Sequence, residues 1–231
     1  IPASEGHLLM SAQATNPSSA PSARPRGSKL PMIIGTLAVV VVIAAMALDT
    51  KVVRIGTAEH VTEDGFSPEA FGAENFPIVQ KSVEDRAVDA ATLASDIAAD
   101  KDAAIEKYGV KAGIGAVMPV SFTGIAGEAK GGIYPVAVDG VPDTITIRVQ
   151  TGPAINGTDL RDATGAIAFG QFKNQIEYQD AGSALNNEMK KAVLADIDTA
   201  NLSGKTVSVT GVFKLINPKN WLVTPVEMSV K

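Results

Sequence analysis

The chain has 231 residues and no cysteine, which excludes disulfides, thiolate metal sites and cysteine nucleophiles. Its only histidines, His7 and His60, stand on either side of a long apolar run, which excludes a two-histidine metal site and a serine triad. The formal net charge is -5; Arg24, Arg26 and Lys29 outweigh Glu5 ahead of residue 30, so the remainder carries -7, an acidic balance that repels phosphate backbones and argues against nucleic acid as a partner.

Residues 1–29, with stretches such as NPSSAPSARPRGSK, hold too few large apolar side chains to offset the entropy of ordering, and predict a disordered cytoplasmic tail. Leu30–Leu48, LPMIIGTLAVVVVIAAMAL, contains no charge. As a helix it would reach about 28 Å, close to the ~30 Å hydrocarbon thickness of a bilayer. It predicts a transmembrane helix or signal anchor. The three basic residues before it place the tail in the cytoplasm and the C-terminal domain outside. The small residues Ala45 and Ala47 also fit a cleavable signal peptide, but the run is long for one, and a retained single-pass anchor in the bacterial inner membrane is the preferred reading.

Residues 49–109 predict a linker and an amphipathic helical segment. EDGFSPEAFGAENFP, anchored by Phe66, Phe71 and Phe76, reads as irregular or as a short helix because Pro and Gly punctuate it. Ser82–Tyr108 sets Leu93, Ile97, Ile105 and Tyr108 at helical spacing, with a break near Asp100 and a stop at Gly109.

From residue 110 the period changes to two. Met118–Gly127, Ile133–Val138 and Thr144–Gln150 read as strands, the last two joined through the Asp139-Gly140 turn. A helical region over 171–199 places Leu185, Met189, Val193 and Ile197 four apart and ends at Asn201 and Gly204. Thr206–Leu215 and Leu222–Val230 are two further strands, and Pro225 argues for an edge position in the second. Three strands, a helix and two strands is the connectivity of an OB-fold. The expected class is therefore mainly β with flanking helices (α+β), with a five-stranded OB-fold-like barrel over 110–231 and the 171–199 helix lying across its end. A generic α+β sandwich fits the same string.

KVVRIG, INGTDLRDA, FGQFKNQIEYQDAGSALN, GKTVSVTGVF and LVTPVEMSV together resemble the domain-of-unknown-function family 2291 of predicted bacterial periplasmic lipoproteins, over about residues 51–231. The resemblance implies an OB-fold-like barrel and a periplasmic location. It also implies an accessory role in uptake, because genes of the family often lie beside those of ribose-type sugar ABC transporters. This chain departs from the family at the lipobox: Thr50 stands where the anchoring cysteine precedes the lysine, so a retained helix takes the place of the lipid.

Arg161, Asn174, Gln175 and Tyr178 are the candidate ligand- or partner-binding residues. Amides and a phenol beside Phe169, Phe172 and Ile176 can pair with sugar hydroxyls or a partner's backbone. The structural reading competes: Asn174 and Gln175 cap or pin a helix, and Arg161 pairs locally with Asp162. Asp139 and Asp143 lack the further oxygen ligands of a calcium loop, and GEAKGG lacks the phosphate-loop Lys-Ser/Thr, so neither metal nor cofactor is expected. With no GxSxG elbow and no identifiable carboxylate pair, the chain is expected not to be an enzyme. The expected function is a membrane-anchored extracytoplasmic accessory to a sugar ABC uptake system, contacting transporter components or a sugar-binding protein. A cell-envelope structural or assembly factor is the alternative.

Overall fold

In the computed structural model the described residues are 65–231. The tail and the apolar run 30–48 lie outside them; among the described residues no helix is long and apolar enough to cross a membrane.

Helix α1 spans Pro68–Glu84. The Ser67 side chain accepts the Ala70 N–H at its start, and Pro68 occupies the first turn, where a missing N–H costs nothing. Phe66, just before the cap, meets Phe71 with ring centroids 5.4 Å apart, a hydrophobic staple that sets the entry of the chain. The stretch that sequence patterning renders as irregular or as a short helix is thus the head of a 17-residue helix. Pro77 sits inside it, at a cost that the cap, the staple and the burial of Phe76, Val79 and Val83 offset. Strand β1 (Val88–Asp89) follows, then α2 (Ala90–Ala99), which Asp89 caps through the Thr92 N–H. Asp100 breaks the helical run as expected: its extended backbone ends α2 while its carboxylate caps α3 (Lys101–Tyr108) at the Asp102 and Ala103 N–H groups. Gly109 closes α3, and the short β2 (Val110–Lys111) leads to the barrel.

The barrel strands are β3 (Ala116–Ala126), β4 (Ile133–Val138), β5 (Thr146–Gln150), β6 (Thr206–Leu215) and β7 (Asn220–Val230). They pair in the order β3-β4-β5-β7-β6, and β6 returns to β3 from Ala116↔Leu215 to Ile125↔Thr206, which closes the cylinder. The β5–β7 pairing is parallel and the other four are antiparallel. That is the OB-fold order, with β1 and β2 added to the flank of β3. Closure removes the edge expected for β7. Pro225 is accommodated because the β5 ladder ends at Val223 and the β6 ladder is irregular at Thr210/Gly211, so its missing donor falls where pairing lapses.

The alternation of the strands builds two cores rather than one. Met118, Val120, Phe122, Val209, Phe213 and Trp221 point inward and share a buried cluster with Leu93 and Ile97 of α2 and Ala104 of α3. Phe213 and Trp221 stack there with centroids 4.5 Å apart. Residues of opposite parity, Val117, Val212 and Val226, face outward and are covered by Phe76, Val79 and Val83 of α1. Helix α5 (Gln175–Met189) packs on the same outer side through Leu185 and Met189. The two helices approach so closely that a Cβ on Gly72 would lie 2.8 Å from the Ala184 carbonyl oxygen. This corrects the expectation that the 171–199 helix lies across the barrel's end. Helices α2 and α3 join the interior cluster instead, and of the segment after α5 Leu202 is buried in it and Ile197 packs against it, where Tyr134 donates to the Thr199 carbonyl.

A second correction concerns the helical face. After Met189 the helix widens into a π turn over Lys190–Leu194. The extra residue moves the buried position from Val193 to Leu194, and Val193 is left half-buried.

Candidate functional site

Between β5 and α5 the chain forms the one-turn helix α4 (Asp159–Asp162), followed by a 3-10 turn at Phe169–Gln171. The buried Asn186 of α5 fixes the approach to α4, donating to the Ile155 and Gly157 carbonyls. Arg161 then enters beneath α5. Its Nε and Nη2 contact Asp162 Oδ1 at 2.9 and 2.8 Å, its Nη1 donates to the Tyr178 carbonyl at 3.1 Å, and its guanidinium covers the Tyr178 ring at 3.5 Å from the centroid. Asp162 also accepts the Thr158 hydroxyl and lies 3.6 Å from Lys214 Nζ of β6. A paired, hydrogen-bonded ion pair of this kind tolerates burial.

Above the pair opens a pocket of about 380 Å³ lined by Lys111, Thr158, Arg161, Asp162, Tyr178 and Lys214. Its polar wall combines three cationic side chains, one carboxylate and two hydroxyls. Such a wall can take a hydroxylated or anionic small ligand, or a polar loop of a protein.

The four sequence-predicted residues separate into two groups. Arg161 and Tyr178, seventeen positions apart, meet face to face at the pocket. Asn174 is the α5 N-cap: its Oδ1 accepts the Ile176 and Glu177 N–H groups, both at 2.9 Å, while Glu177 reaches back to the Lys173 N–H. Gln175 is exposed on the first turn, outside the pocket lining. Lys214 lines the pocket and Asp159 stands close enough to feel its charge, and both escape sequence reasoning; Lys214 carried a signal, as the one charge in TVSVTGVFKL.

Asp159 is the titrating member. Burial raises its carboxyl to a pKa of about 6, Lys214 opposes the rise and Asp162 adds to it. A folded-state pKa above the unfolded value means that the folded protein holds the extra proton, so stability falls as pH rises from about 4 through 6 and is flat above. Asp159→Asn is expected to raise stability at pH 7.5 by on the order of 2 kcal/mol and to change it little at pH 4.5. Thermal melts of both proteins across that range check it; parallel pH profiles would refute it.

Comparison with known proteins gives three findings. The family model described as predicted periplasmic lipoprotein (DUF2291) matches residues 37–229. The crystal structure of an OB-fold protein from Thermotoga maritima aligns with a TM-score of 0.56 at 20% identity, covering 73% of this chain and 100% of that one, which supports the barrel assignment. No curated protein matches.

Proposed function

The chain belongs to the family of predicted periplasmic lipoproteins (DUF2291), and from that premise we propose that it is a non-catalytic, membrane-anchored accessory to a sugar (ribose-type) ABC uptake system. The family description makes the barrel extracytoplasmic. In this reading the anchor is the apolar run Leu30–Leu48, an uncharged stretch long enough to cross the hydrocarbon as a helix. The observation that supports a binding role is the Arg161–Tyr178 pocket. It presents Lys111, Lys214 and the Tyr178 phenol beside a braced ion pair, which suits polar recognition of a sugar or of a transport component. The transporter partner rests on the family resemblance and its gene neighbours.

The experiment uses the full chain in cells. Lys111→Ala and Tyr178→Phe remove pocket polar atoms while keeping the ring over which Arg161 lies. Each should cut transporter-dependent sugar uptake roughly tenfold at unchanged melting temperature, the loss expected for one hydrogen-bond partner in a desolvated contact. Unchanged uptake in both variants overturns the pocket. Unchanged uptake on deletion of the protein, with envelope-assembly proteins alone recovered by pull-down, overturns the transport role in favour of an assembly factor.

A further inference from the structure

Charge is unbalanced in the Arg161–Tyr178 pocket. Lys111, Arg161 and Lys214 line it against the single carboxylate of Asp162. Asp159, close enough to feel Lys214, adds a second carboxylate that is ionised above its pKa of about 6, and the set still keeps an excess of one positive charge. The chain after residue 29 carries -7, so a positive hollow here runs against its surroundings and draws anions toward it. Two other grooves lack this excess. The one across β3, β6 and β7 is lined by Asp89, Asp139 and Glu227 with hydroxyls and no cation, and the one between the start of α1 and α5 sets two lysines against three carboxylates.

The three cations differ in what they already hold. The Arg161 fork is committed, with Nε and Nη2 on Asp162 Oδ1 and Nη1 on the Tyr178 carbonyl. Asp162 Oδ2 takes the Thr158 hydroxyl at 3.0 Å and lies 3.6 Å from Lys214 Nζ, an ion-pair contact beyond hydrogen-bond reach. The Lys214 side chain is only 24% exposed, yet among the described residues its ammonium, like that of Lys111, donates to no acceptor. A largely desolvated ammonium with open donors gains most from an acceptor that carries charge.

We propose that the pocket takes a small hydroxylated molecule through a carboxylate or phosphate group, which Lys214 and Lys111 hold by charge-assisted hydrogen bonds. The inference names the ligand class of the site described under Proposed function and rests on that site's being a binding pocket. Arg161 adds its charge and braces Tyr178, whose phenol is left for a ligand hydroxyl. A neutral sugar would leave both ammonium groups without a charged partner, whereas an oxyanion offers two or three acceptor atoms to them at once. The volume of about 380 Å³ suits a ligand of that size.

The test is isothermal titration calorimetry of the full chain in neutral detergent at low ionic strength, with gluconate, ribose 5-phosphate and ribose as probes. At least one of the two anions is expected to bind roughly tenfold more tightly than ribose, as a charged hydrogen bond gives, and the tighter names the oxyanion. Lys214→Gln is expected to weaken that binding roughly tenfold and Lys111→Gln, at an exposed position, about threefold, with melting temperatures recorded for both. Lys190→Gln, in the groove between α1 and α5, is expected to leave it unchanged. Ribose that binds as tightly as the anions and is weakened by Tyr178→Phe overturns the anionic ligand and leaves the pocket standing. Anion binding that neither lysine variant weakens belongs elsewhere on the protein and overturns the inference. Absence of binding by all three probes overturns it as well, and uptake lost in cells carrying Tyr178→Phe would then assign the pocket to a protein partner.

Discussion

Arg161→Ala is expected to destabilise the protein by about 3–5 kcal/mol, because it strips the partner from a carboxylate that the fold has removed from water. Arg161 and Asp162 side chains are 8% and 10% exposed. After the change Asp162 keeps the Thr158 hydroxyl and the longer contact with Lys214, neither of which replaces two short guanidinium bonds. The Tyr178 ring loses its cover and its carbonyl loses a donor, so the link between α4 and α5 goes with the charge pair. Arg161→Lys keeps the charge without the planar fork and should recover only part of the loss. Urea denaturation of the three proteins gives the comparison; a midpoint for Arg161→Ala equal to the parent's would mean that water already solvates the pair. Since this change disturbs folding, binding at the pocket is tested with Lys111 and the Tyr178 phenol instead.

Leu185→Ala is expected to cost about 3 kcal/mol and Val193→Ala about 1 kcal/mol or less. Leu185 is fully buried in the outer core among Phe76, Val79 and Met189, where neighbours held by the barrel wall on one side and α1 on the other cannot collapse into the space. Val193 lies on the π turn that hands its buried position to Leu194. The contrast is the informative part: equal losses would restore the regular four-residue spacing and remove the register shift. Denaturation midpoints at equal slope are sufficient to decide.

The four-residue spacing from Leu185 to Ile197 is where local patterning and three-dimensional packing part company. Periodicity records which residues are apolar, but a single inserted position in the helix is silent in that record, and which of Val193 or Leu194 is buried depends on the surface beneath. The same holds for the pair that matters most at the site. Asn174 was legible as a cap because its partners are two and three residues away, and so was the Arg161–Asp162 contact between neighbours. The meeting of Arg161 with Tyr178 across seventeen residues, and of both with Lys214 in another strand, was not.

Strand positions, the helix between the third and fourth barrel strands, and the break at Asp100 all follow from short-range physics: alternation along a pleat, turn residues, and a carboxylate that satisfies free N–H groups. These were enough to reach the OB connectivity, whereas the family came from the resemblance of whole blocks such as FGQFKNQIEYQDAGSALN. Which helices cover which face was beyond them. The strands β3, β6 and β7 bear apolar residues on both parities, as Val117 beside Met118 and Val212 beside Phe213 attest, so they can be covered inside and out. Period-two patterning assigns one apolar face per strand and leaves the second core unannounced. The assignment of α2 and α3 to the inside and of α1 and α5 to the outside is made by shape complementarity between elements far apart in the chain, such as Gly72 against Ala184, and that complementarity exists only once the barrel has closed.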